Sequence, residues 1–347
     1  MEVNQQNNRG EIFFTLVNPR PQQIPDKVDE FIRSLPGPTH IQIDGKDPDR
    51  CRVVTTLIHG NEPSGLYATY KLLRDGAQPA VNVHIFIVSV EAALAPPLFS
   101  HRMLNNRPDL NRCFRQPFSE DQESQLAYQL INTIDELKPE AVIDIHNTSG
   151  SGPAFGVTAF DTSDNAKLAL FFSQRLVVTD LRIGALMEMS TPERPIVTVE
   201  CGGSHDSESH SLAFHGLLNF VISDNVFSGN HDCIELYKQP MRVQVHPNIS
   251  LAYDDEGQAN VDLTLVSHIE EFNFGVVDQR TVLGFTGDAV LDQLKVVTAT
   301  GDDSARGYFQ VRDGCLHPTH TLKVFMVTTN IAIAKSDCLF YFVTLEE

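Results

Sequence analysis

Hydrophobic and polar positions along the chain follow two periods in turn. Short apolar, β-branched runs at residues 53–58, 83–90, 141–145 and 196–199 predict buried strands. Stretches of helical spacing lie between them. Residues 64–74 start just after Pro63, and residues 120–137 put Leu126, Leu130, Ile134 and Leu137 on one face. Residues 165–176 and 205–222 predict two further helices. This alternation predicts an α/β fold, with a mixed, mostly parallel sheet flanked by helices. Residues 1–35 read as a helical or irregular lead punctuated by Pro19, Pro21 and Pro25.

Near residue 235 the pattern changes. Short β-rich runs at 242–245, 261–266, 295–299, 322–328 and 339–344 are separated by Gly, Asp and Asn turns. Two domains are therefore expected: 1–234, carrying the chemistry behind the N-terminal lead, and a smaller β-rich domain, 235–347. There is no internal repeat and no low-complexity tract.

Composition narrows the partners. The 347 residues are 41% hydrophobic and 20% charged, as in ordinary globular proteins, and carry a formal net charge of −19. Nucleic acid and anionic membrane both need clustered Lys and Arg, so neither is expected as a partner. None of the six cysteines (Cys51, Cys113, Cys201, Cys233, Cys315, Cys338) forms a CxxC pair, and reduced core thiols are expected. The first residues, MEVNQQNNRGEIFF, are polar and lack the apolar run of a signal peptide. With no apolar stretch of membrane-spanning length, a cytoplasmic protein is the default expectation.

Four segments carry candidate chemistry. In TTLIHGNEPSG (55–65) an apolar strand runs directly into His59 and Glu62, framed by Gly60, Pro63 and Gly65. Imidazole nitrogen and carboxylate oxygen suit zinc. The HxxE spacing alone is uninformative, because it recurs at His205/Glu208 and His268/Glu271. Only the first copy follows a buried strand. In AVIDIHNTSG (141–150) another strand ends at His146, with Asp144 on the same face of the strand. Asp144 either orients that imidazole or satisfies loop amides. Two His and one Glu leave a coordination position open, the pattern of a catalytic zinc.

In PIVTVECGG (195–203) Glu200 ends an apolar strand. It reads as a general base and then proton donor, or as a carboxylate bonded to the glycine turn. In HRMLNNRPDLNR (101–112) Arg102, Arg107 and Arg112 crowd one loop of an acidic protein. They read as a site for a carboxylate or as solvated surface ion pairs.

These four segments, in this order, resemble the succinylglutamate desuccinylase/aspartoacylase family, within the zinc carboxypeptidase-like superfamily. The resemblance implies one zinc ion per chain, held by His59, Glu62 and His146, with Glu200 as the catalytic carboxylate. It also implies that Asn111 and Arg112 hold a substrate carboxylate, and that an upstream arginine, Arg102 or alternatively Arg107, polarises the scissile carbonyl. A tyrosine of the C-terminal domain, Tyr253 or Tyr308, would contact substrate.

The expected activity is hydrolysis of the amide bond of an N-acyl amino acid or a similar small carboxylate-bearing amide. A metallocarboxypeptidase or peptidoglycan-peptide hydrolase is the near alternative, and a non-catalytic binding protein the distant one. The expected partner is a small molecule with a carboxylate; the protein could also form a homo-oligomer. His205 and His210 read as helix-start residues or as lining of the site. His84 reads as a core or edge histidine, and Cys201 as a buried thiol without a partner base.

Overall fold

The computed structural model describes residues 12–345. The N-terminal expectation for residues 1–11 lies outside the described residues. The chain divides into two compact units. Of the described residues, one comprises those up to 147, 154–177 and 182–236; the other comprises 148–153, 178–181 and those from 237 on.

The larger unit is built on a mixed sheet. Its strands are β1 (Phe14–Val17), β2 (Thr39–Ile43), β3 (Asp47–Thr56), β4 (Val81–Ile87), β5 (Val142–Thr148), β6 (Phe155–Thr158), β7 (Arg175–Val178), β8 (Ile196–Gly203) and β9 (Glu235–Lys238). They lie in the order β1-β2-β4-β3-β5-β8-β6-β7-β9. β3 runs parallel to β4 and β5, whereas β2 against β4 and β6 against β8 are antiparallel. The central strands are buried on both faces, which explains their continuous apolar runs.

The α-helices of the larger unit are α1 (Val28–Ser34), α2 (Ser64–Asp75), α3 (Val90–Leu94), α4 (Gln122–Leu137), α5 (Ser163–Ala169) and α6 (Ser207–Ile222). α4 starts where Asp121 accepts a hydrogen bond from Ser124 N and stops at Lys138, in the left-handed region at φ 48°. It lays Leu126, Leu130 and Ile134 against Val53, Phe86 and Val142. α2 covers the opposite face, beside α6. A Cβ on Gly65 would stand 2.1 Å from Thr56 Oγ1 and 2.9 Å from Ile145 Cβ, so glycine lets α2 sit directly on β3 and β5.

Three sequence expectations need correction. The single helix expected over 165–176 is α5 followed by β7. Ser173 Oγ accepts from Arg175 N and turns the chain, and the β-branched Val177–Val178 pair joins the sheet. The lead before residue 35 holds α1 but also β1, an edge strand of four residues parallel to β2, too short to show a period. The 83–90 strand ends at Ile87, and Val90 opens α3.

The smaller unit contains two sheets. One has six strands, ordered Val276–Val277, Leu322–Phe325, Phe340–Thr344, Met241–Val245, Leu294–Thr298, Gly301–Ser304. The other has five: Leu251–Tyr253, Leu263–Leu265, Gly284–Thr286, Cys315–Pro318, Phe309–Arg312. Their buried side chains, among them Val243, Leu263, Val296, Phe309 and Phe342, make one core.

Candidate metal centre

Three neighbouring strands, β3, β5 and β8, deliver the site. After β3, Leu57 takes φ 58°, a left-handed conformation that costs a branched residue about 1–2 kcal/mol. That bend throws His59 out of the strand line. Gly60 then passes so close to the backbone that a Cβ would lie 2.6 Å from Ala93 N and 2.7 Å from His101 O. Glycine is required here by close approach rather than by a positive φ.

His59, Glu62 and His146 offer ligand atoms that all lie within 4.8 Å of one another. All three are buried, at 3%, 6% and 2% exposure. His59 Nδ1 stands 2.8 Å from Glu62 Oε1, and His146 Nδ1 stands 2.7 Å from Glu62 Oε2. The first pair is close but lacks hydrogen-bond alignment, so His59 Nδ1 is a buried polar atom without a hydrogen-bond partner.

The opposite ring nitrogens are each held by a carboxylate. His59 Nε2 lies 3.0 Å from Asp109 Oδ1, and His146 Nε2 lies 2.8 Å from Asp144 Oδ2. Asp144 is itself fixed by Thr55 Oγ1 at 2.6 Å and Thr198 Oγ1 at 3.2 Å, so one carboxylate ties β3, β5 and β8 together. Both imidazoles therefore aim Nδ1 at Glu62, backed by carboxylates, which is how proteins orient zinc-binding histidines. The donor set fits zinc.

Charge follows burial and pairing. Burial opposes ionisation of Glu62, but the His59 and His146 charges outweigh it and hold the carboxyl below the usual range. Burial likewise opposes charge on His146, and Asp144 and Glu62 overcome it, raising the imidazole well above its ordinary value. Glu200, on β8, differs. Burial pushes it up to about 7, His146 opposes, and Glu62 adds to the rise. Its Oε2 is buried with no hydrogen-bond partner.

The arginine loop divides. Arg102 reaches the site: Nη1 lies 3.2 Å from Glu62 Oε1, and Nη2 lies 3.0 Å from Asp109 Oδ2. Arg107 pairs with Glu91 at 2.9 Å and Glu123 at 3.4 Å, anchoring the loop to α3 and α4. Asn111 is buried, and its Oδ1 accepts from Leu186 N at 3.1 Å. Arg112 Nη1 donates to Asn111 O at 2.9 Å, and its charge helps hold Asp109 ionised.

By sequence the chain matches no family model and no curated protein. Its structure does find relatives. It superposes on succinylglutamate desuccinylase from Vibrio parahaemolyticus with a TM-score of 0.55 at 14% identity, over 85% of this chain and 99% of that one. Murine aminoacylase 3 gives 0.54 at 15%, over 87% and 97%. A succinylglutamate desuccinylase/aspartoacylase from Rhodobacter sphaeroides gives 0.50 at 14%, over 84% and 83%. The chain has the succinylglutamate desuccinylase/aspartoacylase fold.

Within that fold the remaining sequence candidates separate. His205 is exposed in the turn just before α6. His210 is half-buried, with Nδ1 2.7 Å from Ser64 Oγ and its ring 4.4 Å from Tyr67. Burial, reinforced by Glu200, pushes the Cys201 thiol far up, leaving it no nucleophile. In the smaller unit Tyr308 donates to Asp303 at 3.0 Å, whereas the Tyr253 hydroxyl is buried without a hydrogen-bond partner. In the sequence Asp109 is only one residue of the 101–112 arginine loop. Its partnership with His59 spans 50 residues and leaves no periodic signal.

Proposed function

We propose that this chain is a zinc-dependent hydrolase of the amide bond of N-acyl amino acids or similar small carboxylate-bearing amides. The observation that carries the reading is the His59–Glu62–His146 donor cluster beside a buried Glu200 with an unpartnered oxygen. The structural relatives named as desuccinylases and an aminoacylase agree with it.

His59, Glu62 and His146 would hold the zinc, which when bound acts as a Lewis acid and lowers the pKa of water toward about 7. Glu200 accepts the proton of the attacking water through its unpartnered oxygen and returns it to the departing nitrogen. Burial raises the Glu200 carboxyl above its ordinary value, which favours the return of the proton. Arg102 places a positive charge at the same centre, where charge develops on the carbonyl oxygen. Arg112, on the loop beside it, binds a substrate carboxylate and aligns the amide.

The test is release of free amino acid from a panel of N-acyl amino acids by zinc-loaded protein. Turnover of short peptides but of no N-acyl amino acid would transfer the reading to a carboxypeptidase. Turnover of neither would remove it.

A further inference from the structure

A buried amide connects three of the segments that make up the site. Asn147 follows His146 on β5 and is 2% exposed. Its backbone N–H points at Glu62 Oε2 at 3.3 Å. Its Oδ1 accepts from Ser64 N at 3.0 Å. Its Nδ2 donates to Ser64 Oγ at 2.8 Å and to Gly202 O at 2.9 Å.

The amide orientation is dictated by these partners, since Ser64 N can only donate and Gly202 O can only accept. Ser64 is the first residue of α2, whose leading N–H groups need acceptors. Pro63, at the cap position, supplies no side-chain bond. Asn147 therefore caps α2 from a strand 83 residues away, two residues after Glu62. The same side chain grips the carbonyl of Gly202, two residues after Glu200. Gly202 sits at φ 102°, where other residues are strained, so this carbonyl has a fixed direction. Ser64 Oγ, which accepts from Asn147, also lies 2.7 Å from His210 Nδ1, so the hydroxyl is held from two sides.

We infer that Asn147 is a positioning residue that fixes the Glu62 turn and the Glu200 strand end relative to each other. Oδ1 holds the turn through Ser64 N, and Nδ2 bridges Ser64 Oγ on the turn to Gly202 O at the strand end. The inference rests on the zinc-hydrolase reading: the kinetic arm needs turnover, whereas the affinity arm needs only that the site binds zinc, which is measured without turnover. Two substitutions separate the halves. Asn147→Asp retains an acceptor for Ser64 N but sets an oxygen against Gly202 O. Asn147→Ala loses all three of these side-chain bonds.

The full-length chain is titrated with zinc against a competing chelator and assayed on an N-acyl amino acid. Asn147→Asp is expected to keep zinc affinity within about threefold while kcat falls about 10²-fold, the loss typical of a misplacement near 1 Å. Its KM should move by less than about threefold. Asn147→Ala is expected to lose about tenfold in zinc affinity as well. Should the alanine variant not fold, Asn147→Asp decides alone. Wild-type kcat in Asn147→Asp, or a drop in melting temperature with zinc affinity and kcat unchanged in Asn147→Ala, would overturn the inference. If the wild type hydrolyses nothing, the functional reading fails. The inference then stands or falls on zinc affinity alone: a loss in the alanine variant that the aspartate variant does not share supports it, and equal affinities overturn it.

Discussion

His59 Nε2 and Asp109 Oδ1 lie 3.0 Å apart, although one follows β3 and the other sits on the arginine loop. That carboxylate also accepts from Asn111 N and pairs with Arg102. Burial opposes its charge, but the His59 bond and charge, with those of Arg102 and Arg112, hold it well below the usual carboxylate range. Asp109 thus does for His59 what Asp144 does for His146. Replacing Asp109 with Asn weakens the acceptor while keeping the shape. A loss of about 10–100-fold in zinc affinity is expected, read by chelator competition. Unchanged affinity would confine Asp109 to holding its loop.

Glu200→Gln removes the proton acceptor without removing a metal donor. Zinc content should stay near that of the wild type while kcat falls by about 10²–10⁴. Steady-state kinetics with metal analysis on the same sample checks both. Turnover close to wild type would rule Glu200 out as the base.

Arg112→Ala should discriminate among substrates. Loss of a charged pair to a buried carboxylate is worth about 2–5 kcal/mol, so kcat/KM should fall at least tenfold more for a free N-acyl amino acid than for its amide. Equal losses on the two would make Arg112 a loop-holding residue.

Much of this site was legible before the fold was known. A strand running into HGNE, a strand ending in DIH and a strand ending in Glu200 are local patterns, and neighbouring strands bring their ends together. The partnerships that complete it are long-range. Thr55 and Thr198 hold Asp144 across adjacent strands, 89 and 54 residues away. Asn147 carries no local pattern that singles it out, since its partners Ser64 and Gly202 lie 83 and 55 residues away. The choice between Arg102 and Arg107 depended on which carboxylates the loop folds against, and only tertiary structure supplies Glu91 and Glu123. The 165–176 error has the same origin, because LALFF reads as a helical face until the sheet takes the following residues as a strand.

His84, expected as a core or edge histidine, lies on the interior strand β4, with Nδ1 2.9 Å from His40 Nε2 on β2. Burial, then the His84 charge, pushes His40 down to about 3. His84 is lowered too, by burial, with Asp44 opposing. The folded chain keeps His40 neutral where the unfolded chain takes up a proton below about 6.5. Stability is therefore full above pH 6.5 and falls as the pH drops toward 3, by about 1.4 kcal/mol per unit from His40. Denaturant titrations at pH 7.5 and 5 should show a difference about 1–2 kcal/mol smaller in His40→Gln than in the wild type. The same difference in both proteins would exclude the pair as a source of acid sensitivity.

The most direct measurement is zinc dependence of hydrolysis in the wild-type chain. Protein stripped with a chelator is assayed on N-acyl amino acids, then titrated with zinc while bound metal is counted. Activity should be lost on stripping and return in proportion to zinc, saturating near one ion per chain. Uptake of less than about a tenth of an equivalent, or full activity in the stripped protein, would contradict a catalytic zinc on His59, Glu62 and His146.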